Sequence, residues 1–160
     1  MNLLYKIVAT SFGAGYLPIA PGTWGAVVGC LPLLAYHAYT TASYSLLFWT
    51  IFALIIAGVT ALGALAARKL EPAWGKDPSR IVLDETVGVW IALWMIPWTT
   101  YHVVFGFLLF RFFDIAKPLG IRRLEKVPNG WGVMLDDVLA GVYSNICLQI
   151  VLVLWPLLSN

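Results

Sequence analysis

The sequence predicts an all-α, multi-pass integral membrane bundle of four or five transmembrane or partial-span helices, formed by a single domain over residues 1–160. Its composition predicts this class. Hydrophobic residues make up 61% of the chain and charged residues 11%, whereas soluble globular domains contain about 45–50% and about 25%. So few charges could not cover the surface of a soluble domain of this length, so a soluble helical oligomer fits the composition poorly.

Five apolar segments have helical character, at 26–39, 44–67, 86–98, 101–113 and 138–158. The second and the last have the roughly 20 residues that a helix needs to cross a bilayer. The first contains Pro32 and is a candidate tilted or partial span. The third and fourth are short and meet near Pro97, which predicts a helical hairpin. The number of full spans, four or five, stays open, and the sequence does not predict an oligomeric state.

The charges are distributed unevenly along the chain. Apart from Lys6, every charged residue lies within 68–85 or 111–137. If the five segments alternate in direction, the N-terminus and both charged stretches lie on one face, together with all ten lysines and arginines. The positive-inside rule then makes that face cytoplasmic. The basic residues form no long run, so nucleic acid is not an expected partner.

The acidic residues form two doublets at the predicted helix starts, Asp84 with Glu85 and Asp136 with Asp137, and Asp114 lies just past the fourth segment. Helix capping explains one acid per helix. It explains doublets less well, since neighbouring carboxylates repel unless a cation or a shared proton intervenes. Mg²⁺ prefers carboxylate oxygens near phosphate, and the absence of a His/Cys cluster argues against zinc. We therefore predict that the four doublet residues bind Mg²⁺.

Basic residues accompany these acids near the end of the fourth segment. Arg111 and Asp114 are one helical turn apart, and Lys117 follows one turn later, before Pro118 ends the helix. One interpretation is an arginine–aspartate pair with a lysine that extends to the headgroups. The other makes Lys117 and Arg111 phosphate-binding groups. The spacing does not separate them.

Residues 13–25 are rich in glycine and proline, which predicts a non-helical loop, and Thr23 could cap the helix that follows. Exposed N–H groups at such a junction can bind an anion, although the composition by itself favours a structural turn. No Gly-Lys-Ser/Thr follows, so the loop is not a nucleotide-binding P-loop. The candidate substrate-binding residues are Gly22, Thr23, Arg80 and Arg111.

Glycines also follow the acidic doublets. Gly88 lies one turn after Asp84, and Gly141 lies one turn after Asp137. Residues this small would let the two helices approach closely and bring their acids together.

Four stretches, taken in order, resemble a known family. They lie at 15–25, 77–88, 110–118 and 130–141, and together they resemble phosphatidylglycerophosphatase A, a family of bacterial membrane enzymes. The family often has an aromatic residue and a proline where this chain has Leu119-Gly120, and Asn129-Gly130 is also variable, but neither difference affects an acidic position. The resemblance covers nearly the whole chain.

The resemblance implies a Mg²⁺-dependent phosphomonoesterase that converts phosphatidylglycerophosphate to phosphatidylglycerol at the cytoplasmic leaflet of the bacterial inner membrane. On this hypothesis Asp84, Glu85, Asp136 and Asp137 hold one or two ions, Asp114 completes the site, and Lys117 offsets charge on the phosphoryl oxygens. The attacking group is either a metal-activated water or one of the aspartates.

Two alternatives remain at this point. A phospholipid alcohol phosphotransferase also gathers aspartates around a metal, but its spaced Asp-Gly, Ala-Arg and Asp series is absent here. A small carrier or channel would use membrane carboxylates for ions or protons. Such a protein would need acids near the bilayer midplane, whereas these acids cluster at one end of the predicted segments.

Overall fold

The computed structural model describes residues 3–40, 44–76 and 78–158. Within these residues the chain is all-helical and contains no strand, which confirms the predicted class. One turn of 3₁₀ helix, Ala14–Tyr16, lies between the first two helices. The seven α-helices are α1 (Leu3–Ala9), α2 (Pro21–Tyr39), α3 (Leu46–Trp74), α4 (Leu83–Ala92), α5 (Thr100–Ala116), α6 (Ile121–Leu124) and α7 (Trp131–Leu158).

Two of these helices, α3 and the Trp131–Leu154 part of α7, are long and apolar enough to cross a membrane. They correspond to the second and last predicted segments. Much of the outward surface of both is apolar and exposed, for example at Leu47, Leu54, Ile146 and Ile150. Apolar exposure on this scale is typical of a lipid-facing surface.

The start of α2 differs from its prediction. The helix begins at Pro21, where proline favours the first helical position, so residues 21–25 are helical and not part of a loop. The N-cap is Ala20, which makes no side-chain cap hydrogen bond, and the prediction that Thr23 caps this helix is therefore wrong. Thr23 instead lies inside the first turn.

Helix α4 is short, and its C-terminus lies inside the protein. Ten residues span about 15 Å, about half of a bilayer's hydrocarbon core. The carbonyl groups at its end are satisfied by side chains: Asn145 Nδ2 donates to the oxygens of Ala92 (3.1 Å) and Trp94 (2.8 Å), and Trp98 Nε1 donates to Leu93 O (3.2 Å). A helix that ends inside the protein, away from water, needs such partners for its free carbonyls. The turn then leads into α5, which gives the predicted helical hairpin.

Glycines set how closely α4 approaches its two main neighbours. A Cβ atom at Gly25 of α2 would lie 2.5 Å from the carbonyl oxygen of Val82, and one at Gly141 of α7 would lie 2.5 Å from that of Gly88. Either side chain would force the backbones apart. The start of α4 is therefore held between α2 and α7. The close approach of α4 to α7 is the one that the positions of Gly88 and Gly141 predict.

Candidate active site

Three carboxylates from two distant parts of the chain meet at the start of α4. Asp84 and Glu85 lie in its first turn, and Asp137 lies in the second turn of α7. Each contributes an oxygen atom, and these oxygens all lie within 4.8 Å of one another. Asp84 and Asp137 are buried and Glu85 is half-buried. We call these three residues the carboxylate cluster.

Helix capping does not account for the whole cluster. Asp84 Oδ1 accepts a hydrogen bond from the backbone N–H of Glu85 at 3.0 Å. Helix α7, however, begins at Trp131, so the prediction that Asp136 and Asp137 open this helix is wrong. The turn before it contains Gly130 at a φ of 79°, against the carbonyl oxygen of Ala64 in α3. Because of this loop, α7 begins more than one helical turn before Asp136 and Asp137.

The electrostatic environment of the cluster is unfavourable for three negative charges. Burial raises the pKa of Asp84 well above its usual value, and the adjacent Glu85 raises it further. Burial is also the main cause of a raised pKa at Glu85. Buried carboxylates this close together need a bound cation or shared protons.

An ion pair adjoins the cluster. Arg111 NH1 donates to Asp114 Oδ2 at 2.5 Å, one turn apart on α5 as predicted. The Asp114 side chain also lies within hydrogen-bonding reach of Asp137. Among the described residues, the buried Nε of Arg111 has no hydrogen-bond partner. Asp114 thus connects the cluster to Arg111, whose Nε can still donate a hydrogen bond.

The N-terminal turn of α2 reaches the same place. A Cβ atom at Gly22 would lie 2.0 Å from Glu85 Oε1 and 3.5 Å from Arg111 NH1. Gly22 and Arg111, two of the candidate substrate-binding residues, therefore meet beside Glu85, with Thr23 next in the same turn. Arg80 is exposed and lines a separate cavity of about 410 Å³ together with Gly15 and Pro21.

Asp136 has a different environment from its neighbour Asp137. Its Oδ2 accepts a hydrogen bond from Lys117 Nζ at 2.7 Å, and the same Nζ donates to Glu125 Oε1 at 2.8 Å. Burial alone would lower the pKa of Lys117, but the hydrogen bonds and charges of Asp136 and Glu125 outweigh it and raise that pKa. Lys117 is therefore a fixed cation beside the cluster. Asp136, predicted as a metal ligand, lies outside the cluster and orients this lysine.

Several positioning residues were not predicted from the sequence. Glu125 is eight residues from Lys117 on a separate turn, and no sequence spacing connects them. The hydroxyl of Thr86 donates to Gly25 O at 2.9 Å and lies 2.9 Å from Ser11 Oγ, so it ties α4 to α2 and to the loop after α1. The only signal in the sequence for Thr86 was its position directly after the acidic doublet Asp84-Glu85.

Sequence comparison identifies the family of this chain. The family model described as phosphatidylglycerophosphatase A matches residues 7–152. The chain belongs to the phosphatidylglycerophosphatase A family. The predicted resemblance is thereby confirmed, and with it the prediction that the chain is an enzyme, a phosphatase.

Curated relatives agree with this membership. A phosphatidylglycerophosphatase A from Haemophilus influenzae is 41% identical over 88% of this chain and 83% of its own length. One from Escherichia coli is 32% identical over 98% of this chain and 88% of its own length. A protein of Bacteroides thetaiotaomicron, named a putative phosphatidylinositol-3-phosphatase, is 48% identical over 93% of this chain and 94% of its own length. No solved structure is significantly similar to the chain.

The carboxylate cluster has the donor set of a divalent cation site. Glu85 Oε2 is buried and has no hydrogen-bond partner within the described part of the chain. A buried carboxylate oxygen without a donor is costly unless an ion or a water satisfies it. Three convergent carboxylates and this free oxygen suit a hard, oxygen-seeking ion.

Proposed function

We propose that this member of the phosphatidylglycerophosphatase A family removes the terminal phosphate of phosphatidylglycerophosphate and leaves phosphatidylglycerol. The observation that carries the proposal is the position of Arg111 and Lys117 beside the buried carboxylate cluster. A phosphomonoester brings up to two negative charges, and it needs both a cation and fixed donors to approach carboxylates. The names of the Haemophilus influenzae and Escherichia coli relatives support the substrate.

The chain, over residues 1–160, forms one membrane-embedded domain in the bacterial inner membrane, with its site at the cytoplasmic face. The exposed apolar surfaces of α3 and α7 support this placement. The charge distribution supports the orientation, because all ten lysines and arginines lie in the N-terminal segment or in the two stretches that also carry the site.

Asp84, Glu85 and Asp137 would hold Mg²⁺. When bound, the ion neutralises charge on the phosphoryl oxygens and polarises the phosphate ester. The remaining roles belong to the protein. Arg111, oriented by Asp114, and Lys117, oriented by Asp136 and Glu125, bind the phosphoryl oxygens and stabilise the charge that develops on them. The attacking group is either a water molecule or one of the aspartates, as the sequence already indicated.

Phosphate release tests this function. The purified protein should release inorganic phosphate from phosphatidylglycerophosphate in mixed micelles. This release should stop when EDTA is added and resume when Mg²⁺ is supplied in excess. Unchanged release in EDTA would contradict the cation site, and no release in Mg²⁺ would contradict the lipid phosphatase activity.

A second candidate substrate is phosphatidylinositol 3-phosphate. The specific observation is the name of the Bacteroides thetaiotaomicron relative, which is 48% identical to this chain. Both lipids carry a phosphomonoester on a polyol headgroup, so the same site could act on either. The ratio of kcat/KM for the two lipids, measured under identical conditions, decides between them. We expect phosphatidylglycerophosphate to be favoured by at least about tenfold, which is about 1.4 kcal/mol in transition-state binding.

A further inference from the structure

An apolar groove runs along the surface between α2 and α5. Its volume is about 200 Å³, and only apolar side chains and one thiol line it. Buried Cys30 and Val103 lie within it, whereas Leu31 and Val104 are about half exposed at its edges. The groove therefore opens sideways from the helix pair. The side chains that shape it are Val27, Cys30 and Leu34 of α2, and Val103, Val104 and Phe107 of α5.

One end of the groove lies toward the carboxylate cluster. The two helices are antiparallel, since Gly22 near the start of α2 lies beside Arg111 late in α5, while Leu34 and Val103 line the groove from the opposite ends of their helices. Phe107 is one turn from Arg111 on α5. From Val27 to Leu34 the groove extends about 10 Å along α2. Its inner end, at Phe107, is thus one helical turn along α5 from Arg111.

The dimensions of the groove restrict what can occupy it. A helix is about 10–12 Å in diameter, so it could only lie over the groove and insert individual side chains into it. A single extended hydrocarbon chain is thinner and needs no polar partner. The wall offers none, because no charged side chain lines the groove.

We propose that this groove binds one acyl chain of the phospholipid substrate. The headgroup then lies at Gly22 and Arg111, and its terminal phosphate reaches the carboxylate cluster. The lipid enters sideways from the bilayer between α2 and α5, without leaving the membrane. This inference rests on the proposed lipid phosphatase function and assigns one chain of that substrate to a particular surface.

A steric variant tests the groove. Val104→Trp fills it from the α5 side, and Leu108→Trp is the matched control, because Leu108 is equally exposed on α5 but does not line the groove. We expect V104W to lower kcat/KM for phosphatidylglycerophosphate in mixed micelles at least tenfold, and L108W to stay within twofold of the wild type. Both should hydrolyse the deacylated, water-soluble headgroup at the wild-type rate. Wild-type lipid turnover by V104W, or an equal loss on both substrates, would overturn the proposal.

Photo-crosslinking gives an independent readout that does not need turnover. Phosphatidylglycerol with a diazirine in one acyl chain should label α2 and α5 around the groove, and V104W should lose this labelling. Bulk lipid should label the exposed apolar faces of α3 and α7 equally in the wild type and in V104W. Labelling around the groove that is unchanged in V104W would overturn the proposal. If the wild type releases no phosphate from the lipid, the proposed function fails, while the crosslinking result still decides whether the groove binds an acyl chain.

Discussion

The two adjacent aspartates of α7 have different environments because consecutive residues on a helix project about 100° apart. Asp137 turns toward Asp84 and Glu85, and Asp136 turns toward Lys117. At this scale the site separates groups that can hold a cation from groups that orient a basic side chain.

Substitutions of these two aspartates should therefore differ in severity. Asp137→Asn removes a charge from the proposed cation site and should lower kcat more than about a hundredfold, since a bound ion would supply several kcal/mol of transition-state stabilisation. Asp136→Asn keeps a hydrogen-bond acceptor for Lys117, whose ion pair with Glu125 remains, and should cost about tenfold to a hundredfold.

Phosphate release from phosphatidylglycerophosphate measures both variants. Gel filtration in detergent and circular dichroism establish that each is folded. Near-normal activity of D137N, or an equal loss in both variants, would contradict the assignment of these roles.

At the scale of elements, close approach between helices positions the site. Helix α2 presents Gly22, Gly25 and Gly29 at spacings of three and four residues, and each faces α4. This stripe places the first turn of α2 against Glu85. The half-length α4 in turn depends on Asn145 of α7 to satisfy its C-terminal carbonyls.

Alanine at Gly25 should destabilise the protein. Its Cβ would lie 2.5 Å from the backbone oxygen of Val82, where no flexible side chain can move aside. Overpacking of this kind costs about 1–3 kcal/mol. The matched control is Gly58→Ala in α3, where a Cβ meets nothing within 4 Å, and where alanine favours the helix.

Thermal unfolding in detergent compares the two alanine variants. We expect G25A to unfold at a lower temperature than the wild type, and G58A at the same or a higher temperature. A G25A midpoint equal to that of G58A would show that the approach of α2 to α4 does not depend on this glycine.

At the scale of the whole molecule, the carboxylate cluster joins helices that are far apart in the chain. Asp84 and Glu85 come from α4, Asp137 comes from α7, and Asp114 of α5 lies beside them. Without a cation, the carboxylates of the cluster must share protons or repel one another, and both oppose the packing of α4 against α7. A bound ion should therefore stabilise the fold as well as support catalysis.

Metal removal should thus lower the thermal stability of the wild type. At an ion concentration of one hundred times Kd, binding to the folded state alone contributes about 2.7 kcal/mol. We expect EDTA to lower the unfolding midpoint, Mg²⁺ to restore it, and Asp84→Asn to abolish the difference. A wild-type midpoint that does not respond to Mg²⁺ at millimolar concentrations would contradict a structural contribution from the ion.

The amino-acid sequence determined the class of the protein, its family and the set of candidate acids. These features depend on local properties. The hydropathy of a segment is the sum over its own residues, and the charge bias follows from the order of residues along the chain. The four motifs identify the family without any knowledge of where their side chains point. The spacing of Arg111 and Asp114 likewise predicted their ion pair as one of two interpretations, because residues one helical turn apart can make contact.

Only the tertiary structure decided which acids meet. It assigned Asp137 to the cluster and Asp136 to Lys117, brought Glu125 to that lysine, and showed that the glycine-rich stretch begins a helix whose small residues face α4. These outcomes depend on how each helix is rotated about its axis and how closely it approaches its neighbours. Both are set by packing between residues tens of positions apart, which no local pattern in the chain encodes.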